Sequence, residues 1–129
     1  MATWDELREY VKSGFPVTGE TDGFLAIEFA TGGGRTQMTG VRLMTGGEEQ
    51  RIRLETKVGW EGDIDAGAAL KMNGVLPLGA IAVDDSDSLI FAYSMMLGTL
   101  NLASVDAALK TVAYYGDTLE RQHSFEDRY

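Results

Sequence analysis

The first apolar positions of the chain recur at the spacing of a helix. A capping box precedes them, because the Thr3 hydroxyl can accept the amide hydrogen of Glu6 while the Glu6 carboxylate accepts that of Thr3. Gly14 offers a left-handed residue at the helix end, and Pro16 prevents the helix from resuming. The pattern predicts a helix over residues 4–13.

Two further helices are predicted later in the chain. Asp65 is an N-cap for a segment of high helix propensity that stops at Asn73-Gly74, so a short helix is expected near residues 65–73. Apolar residues at steps of three and four then run from residue 103 to residue 121. This last helix must cover an apolar surface.

Five strands are predicted between the first and the last helix. Alternation of apolar and polar residues predicts strands over residues 24–30 and 35–44, and a third, the clearest, over residues 50–60. The inner side of the third strand is expected to hold Ile52, Leu54, Thr56, Val58 and Trp60. After the second helix, an Asp/Ser turn separates two strands in GAIAVDDSDSLIFAYSMML, and both are expected to be well buried because both faces are apolar.

The predicted elements follow the order α-β-β-β-α-β-β-α. Helices at both ends of a strand meander predict an α+β fold, in which helices cover one face of an antiparallel five-stranded sheet. The sequence contains no linker and no internal repeat, and its length suits one hydrophobic core. Residues 1–129 are therefore expected to form a single domain.

Composition excludes several classes of partner. Twenty acidic residues against eleven basic ones give a formal net charge of −9, which repels nucleic-acid phosphates and anionic membrane surfaces. The chain shows no signal-peptide pattern, and no apolar run reaches the roughly 18 residues of a membrane span. We expect a cytoplasmic protein with no nucleic-acid partner and no membrane partner.

The residues that usually carry catalysis are scarce. The chain has no cysteine and one histidine, His123, whose neighbour Ser124 is too close in sequence to form the usual nucleophile–base pair. The acidic stretch DDSDS lacks the later Gly and Glu of a calcium loop. We predict no enzyme activity, no metal and no cofactor, although a hydrolase built on paired carboxylates stays open as a hypothesis.

A run of three glycines before Arg35 raises the question of a phosphate-binding loop. TGGGR lacks the Lys, the spaced second glycine and the following helix of a P-loop, and a strand pattern follows it. The run is therefore interpreted as a hairpin turn, which needs residues that tolerate positive φ. An alternative function remains open, in which the protein is a small-molecule- or nucleotide-responsive regulator that uses this turn and Arg35.

Basic residues and methionines are unevenly distributed. Residues 35–57 carry a formal charge of +2, and the rest of the chain carries −11. Four cations in this stretch either form a solvated sheet face or dock an acidic segment of a partner: Arg42, Arg51, Arg53 and Lys57. The methionines either fill irregular core gaps or offer adaptable apolar surface to a bound peptide.

The candidate residues for partner binding or for a dimer interface are large or adaptable apolar side chains on strands or at element ends. They are Trp4, Met38, Met44, Trp60, Met72, Tyr93, Met95 and Met96.

Three segments carry a resemblance to a known family. TKVGW at the end of the third strand, ALKMNGVLPLGAIAVDDSDSLIFAYSMML, and VDAALKTVAYYGDTLE in the last helix resemble the corresponding segments of YbjN-like bacterial proteins. The order of elements resembles the fold that these proteins share with class I type III secretion chaperones. Gly116 departs from the pattern, because such helices commonly have Ala there.

The resemblance implies a small acidic protein, often a homodimer, that binds segments of partner polypeptides on apolar patches and catalyses nothing. We therefore expect a non-enzymatic chaperone-like protein that binds another protein or peptide as a homodimer. Chaperone-like proteins without any role in secretion share this fold, and a fold does not fix a function.

Overall fold

The computed structural model describes residues 2–123, apart from the side chains of Glu61 and His123. Over these residues the chain forms three α-helices, six strands and one 3₁₀ turn. In chain order they are α1 Trp4–Gly14, β1 Val17–Thr21, β2 Phe24–Gly32, β3 Arg35–Met44, β4 Arg51–Trp60, the 3₁₀ turn Glu61–Asp63, α2 Ala66–Asn73, β5 Ala80–Val83, β6 Ser88–Met96 and α3 Leu102–His123.

The strands form one antiparallel sheet in the order β1-β2-β3-β4-β6-β5. The α+β class and the antiparallel sheet agree with the prediction, but the expected count of five strands is wrong. The additional strand is β1, which pairs with β2 at one edge of the sheet. Its sequence, VTGET, has no apolar alternation, because an edge strand with a bulge between Val17 and Gly19 buries little.

Local sequence chemistry explains most element ends. The capping box of Thr3 and Glu6 forms, and Asp65 caps α2 by accepting the amide hydrogen of Ala68. The expected left-handed residue at Gly14 is wrong. Instead α1 ends because Phe15 is extended, the conformation that a following proline favours.

Both predicted turns are present. The glycine run joins β2 to β3 as a hairpin, with φ of 110°, 62° and 77° at Gly32, Gly33 and Gly34. Between β5 and β6, the Asp84 carboxylate accepts the amide hydrogens of Ser86 and Ser88 at 2.9 Å. The Asp-rich stretch therefore uses its first carboxylate to hold a turn.

The hydrophobic core lies between one face of the sheet and the helices α1 and α3. Side chains from α1, from five strands and from α3 form one cluster that contains Leu7, Val11, Leu25, Ile27, Val41, Ile52, Leu54, Phe91, Val105, Leu109 and Val112. Of the helices formed by the described residues, none combines the length and the hydropathy that crossing a membrane requires.

Two burial predictions are wrong for reasons of tertiary structure. A bulge between Lys57 and Gly59 shifts the alternation of β4, so that Trp60 is 52% exposed instead of facing the core. In β5 only Ile81 is buried, although the segment is apolar on both faces. Because β5 is the other edge strand, its remaining side chains lack neighbours to cover them.

Gly116 allows α3 to approach the sheet closely. A Cβ at this position would overlap the Thr56 Cγ2, and Thr56 is buried on β4. The Thr56 hydroxyl cannot move away easily, because it donates to the Met38 carbonyl at 2.6 Å and accepts from the Gln37 side-chain amide at 2.7 Å. The glycine at position 116 is therefore a packing requirement of this chain.

We predict that Gly116→Ala lowers the free energy of unfolding by about 1–3 kcal/mol, because the added methyl group overpacks the contact between α3 and β4. Urea unfolding followed by circular dichroism measures the change. Gly14→Ala is the matched control, since it lies at the end of a helix with nothing within 4 Å of the added Cβ. Thr56→Ser, which removes only the clashing methyl, should recover part of the loss in the double variant; equal losses in single and double variants would contradict this explanation.

Candidate protein-binding surfaces

The sheet face opposite α1 and α3 is not covered by a helix of the described residues, and we call it the open face. Strand residues on it alternate with the buried ones and include Glu28, Met38, Arg51, Ser94 and Met96. Met38 is 49% exposed, and its sulfur lies 3.7 Å from the Thr18 hydroxyl on β1. The open face therefore continues to the β1 edge of the sheet.

Strand register brings arginines and methionines together at one end of the open face. Arg42 of β3 lies directly opposite Arg53 of β4, and Arg51 lies directly opposite both Met44 of β3 and Met96 of β6. We call this region the arginine–methionine patch and define it as Phe24, Arg42, Met44, Arg51, Arg53 and Met96. In the sequence, the basic stretch and the methionines were separate candidates for partner binding. The strand register of the sheet places members of both groups side by side.

One buried carboxylate compensates part of the charge in this patch. Glu55 is almost fully buried, and its Oε1 accepts from the Arg42 Nε and, at 3.4 Å, from the Arg53 Nη2. The Arg42 guanidinium also lies 4.5 Å from the centre of the Phe24 ring. The Arg53 Nε is buried and has no hydrogen-bond acceptor among the described residues.

A cavity of about 440 Å³ adjoins the patch on the side of β5 and β6. Arg42, Arg53 and Glu55 line it on one side, and Asp84 and Asp85 of the β5–β6 turn line it on the other. The cavity is therefore basic toward the patch and acidic toward the turn.

The β1 edge carries a second candidate surface. Among residues 2–123, β1 pairs with β2 and has no strand on its other side. A shallow groove of about 530 Å³ runs along it and is lined by residues 12 and 15–20. One wall is polar, because Lys12 binds Glu20 at 2.9 Å, and the other is apolar, because Phe15, Pro16 and Val17 contribute to it. An unpaired edge with such a groove can accept an extended peptide.

The opposite edge is partly blocked by a side chain that sequence reasoning treated only as a helix stop. Asn73 of α2 accepts the Ile81 amide hydrogen at 2.7 Å and donates to the Ile81 carbonyl at 3.3 Å. The side-chain amide therefore occupies backbone groups of β5 that another strand would use. Beside this contact, Leu70 is 71% exposed and Val75 is 80% exposed, which is unusual for large apolar side chains that lie close together in sequence.

Arg35, which the sequence suggested as a ligand-binding residue of a regulator, forms an ion pair within the chain. Its guanidinium donates to both carboxylate oxygens of Asp117 on α3, at 3.3 and 3.2 Å, and Asp117 is only 2% exposed. Arg121 also approaches Asp117, at 3.3 Å. The pKa of the neighbouring Glu120 is raised above its usual value. Partial burial of its carboxyl is the main cause and the Asp117 charge is the second, whereas the Lys57 charge acts in the opposite direction. Arg35 therefore ties the glycine hairpin to α3.

The other predicted binding residues divide between core and surface. Trp4 lies in the core and donates from Nε1 to the Asp22 carbonyl at 3.0 Å. Half-buried side chains that pack against the core are Met72, Tyr93 and Met95. Met38, Trp60 and Met96 are exposed, and the Lys57 ammonium lies 3.1 Å from the centre of the Trp60 ring. The open face thus receives Met38, Met44 and Met96, together with the four predicted cations.

Residues 2–123 contain no group of three or more acidic or histidine side chains placed to hold a metal ion. The geometry instead offers an unpaired strand edge, an uncovered sheet face and an exposed apolar corner at α2. Each of these features suits contact with another polypeptide.

No protein-family model and no curated protein matches the chain. Solved structures do: a chain of the ExsC–ExsE complex is 14% identical over 95% of this chain and 97% of its own length, with a TM-score of 0.68. A chain of the ExoU–SpcU heterodimer, from the type III secretion system of Pseudomonas aeruginosa, is 11% identical over 95% of this chain and 98% of its own length, with a TM-score of 0.59.

A third similar structure is that of the Yersinia pestis type III secretion chaperone SycH in complex with a stable fragment of YscM2. The match is 16% identical and covers 88% of this chain and 95% of that one, with a TM-score of 0.57. At such identities the likeness shows the fold. The chain has a fold like that of class I type III secretion chaperones.

Proposed function

We propose that the protein is a non-enzymatic, chaperone-like binding protein that holds a segment of a partner polypeptide and acts as a homodimer. One observation carries this proposal: the fold match, over 88–95% of the chain, to structures of complexes between two proteins. In two of these structures a chaperone is bound to another protein. One of them is a chaperone–effector complex, HopA1–SchA. A single domain of this fold, residues 1–129, would suffice for such a role.

The β1 edge supports the binding part of the proposal. An extended peptide that adds to a sheet edge gains main-chain hydrogen bonds, and neighbouring pockets then select alternate side chains. The groove along β1 offers Phe15, Pro16 and Val17 on its apolar wall, and exposed Met38 lies beside it on the open face. This surface therefore offers both an unpaired strand edge for main-chain hydrogen bonds and apolar side chains that can contact alternate residues of the peptide.

The corner formed by α2 and β5 supports the homodimer. Leu70 and Val75 are the most exposed large apolar side chains among the described residues, and Val83 at the end of β5 is also exposed. Burying such side chains is worth about 1.5–3 kcal/mol each, so a second copy that covers them would gain appreciably. The Asn73 side chain leaves less room for strand pairing here, so we infer a dimer held by apolar side chains.

We predict that light scattering of the purified protein gives twice the mass of the 14.0 kDa chain. The variant Leu70→Ser/Val75→Ser should shift the equilibrium toward the monomer, because two apolar side chains are lost from the interface. Tyr114→Ser on α3 is the control, since Tyr114 is exposed but lies on another element. A monomeric wild-type protein would contradict the homodimer.

We predict that the immobilised protein captures a polypeptide from the native lysate and that Met38→Ser weakens the capture by about threefold to tenfold. The reason is the loss of an exposed apolar side chain beside the β1 groove. Tyr114→Ser should leave the capture unchanged. Failure of the wild-type protein to retain any polypeptide would contradict the binding function.

A further inference from the structure

We infer that the arginine–methionine patch docks an acidic segment of the partner polypeptide, one in which carboxylate side chains alternate with apolar ones. This inference rests on the proposed function and adds the chemistry of the bound segment. It concerns the open face of the sheet, which is separate from the groove along β1.

The charge distribution favours an acidic occupant. The strand residues in the two outer rows of the open face, which hold the patch, include Arg42, Arg51 and Arg53 and no carboxylate. With Glu55 of the next row, the strand residues of these three rows carry a formal charge of +2. Because the whole chain carries −9, this positive region is surrounded by a negative molecule. The contrast in sign orients an incoming acidic segment toward the patch.

The hydrogen bonds within the patch leave donors in excess. Arg42 and Arg53 lie directly opposite each other, an arrangement of like charges that is unfavourable unless an anion lies between them. Glu55 supplies one oxygen to both guanidiniums, whereas each guanidinium has five N–H donors. The buried Arg53 Nε has no acceptor among the described residues. Because the Arg42 and Arg53 side chains remain 43% and 28% exposed, a second carboxylate, from the partner, would accept from their outer N–H groups in charge-assisted hydrogen bonds.

The methionines of the patch favour a bound segment that also carries apolar side chains. Met44 and Met96 lie on either side of Arg51 in one row, and the Phe24 ring contacts Arg42 in the next. Methionine adapts to apolar side chains of different shape, so this part of the patch tolerates sequence variation in the partner. The bound segment is therefore specified by alternating charge and apolarity more than by one residue.

The acidic turn limits where the segment can lie. Asp84 and Asp85 line the far side of the adjoining cavity and repel carboxylates there. The carboxylates of the acidic segment consequently stay on the side of the cavity that Arg42 and Arg53 line, away from Asp84 and Asp85. Long polyanions such as nucleic acids are disfavoured by the formal charge of −11 carried by the residues outside 35–57.

Two fluorescent peptides test the inference by anisotropy: one alternates glutamate with leucine and alanine, and the other has glutamine at each glutamate position. We expect the protein to bind the glutamate peptide about tenfold more tightly than the glutamine peptide, and added salt should reduce this difference. Arg42→Gln/Arg53→Gln should abolish the preference. Lys110→Gln, an exposed cation on α3, should preserve it.

A third variant guards against misfolding, because removing both arginines leaves Glu55 buried without a partner. Arg51→Gln changes an exposed residue, should keep the melting temperature of the wild type, and should still weaken the glutamate preference by about threefold. Arg53→Lys retains the charge but not the planar fork and should give an intermediate preference.

Equal binding of the two peptides, or binding of neither, would overturn the inference. It would also fail if a single-stranded oligonucleotide bound as tightly as the glutamate peptide, or if light scattering showed that Arg51→Gln dissociates a dimer, since a second copy would then cover the patch. The capture experiment with Met38→Ser tests the proposed function independently, so capture together with equal peptide binding would reject only the acidic preference.

Discussion

The close approach of α3 to β4 at Gly116 and Thr56 is the contact on which the other features of the structure depend. It lets the longest helix lie flat on the sheet beside α1, so that the apolar side chains of both helices and of one sheet face form a single core. Arg35 strengthens the same arrangement by binding buried Asp117 from the glycine hairpin. Because both helices lie on that face and α2 lies against β5, none of the helices formed by residues 2–123 covers the other face, and the open face results.

Sequence periodicity was sufficient for the elements that bury many side chains. The capping box of α1, the helical spacing of α3 and the alternation in β4 are strong local signals. β1 was missed because an edge strand that buries little has no such signal, and Trp60 was misplaced because one bulge residue reverses every later side chain. The burial of β5 was overestimated because its position at the sheet edge is a property of topology, not of its residues.

For the candidate surfaces, the sequence predicted the residue types but not which residues lie next to each other. The sequence showed a basic stretch and many methionines, but the pairing of Arg51 with Met44 and Met96 is a consequence of strand register. The Asn73 contact with Ile81 and the burial of Glu55 between two arginines had no separate signal. Conversely, Arg35 had a suggestive position after three glycines, and its partner proved to be Asp117 of the same chain. Polar contacts between distant segments cannot be read from local pattern.

We propose that the protein holds a segment of another polypeptide by strand addition at the β1 edge of its sheet. The decisive measurement is amide hydrogen exchange of the protein alone and with its captured polypeptide. Strand addition would slow exchange in β1, residues 17–21, while α3, which packs on the opposite face from the patch and away from that edge, would change little. Unchanged exchange throughout β1 in the complex would contradict strand addition at this edge.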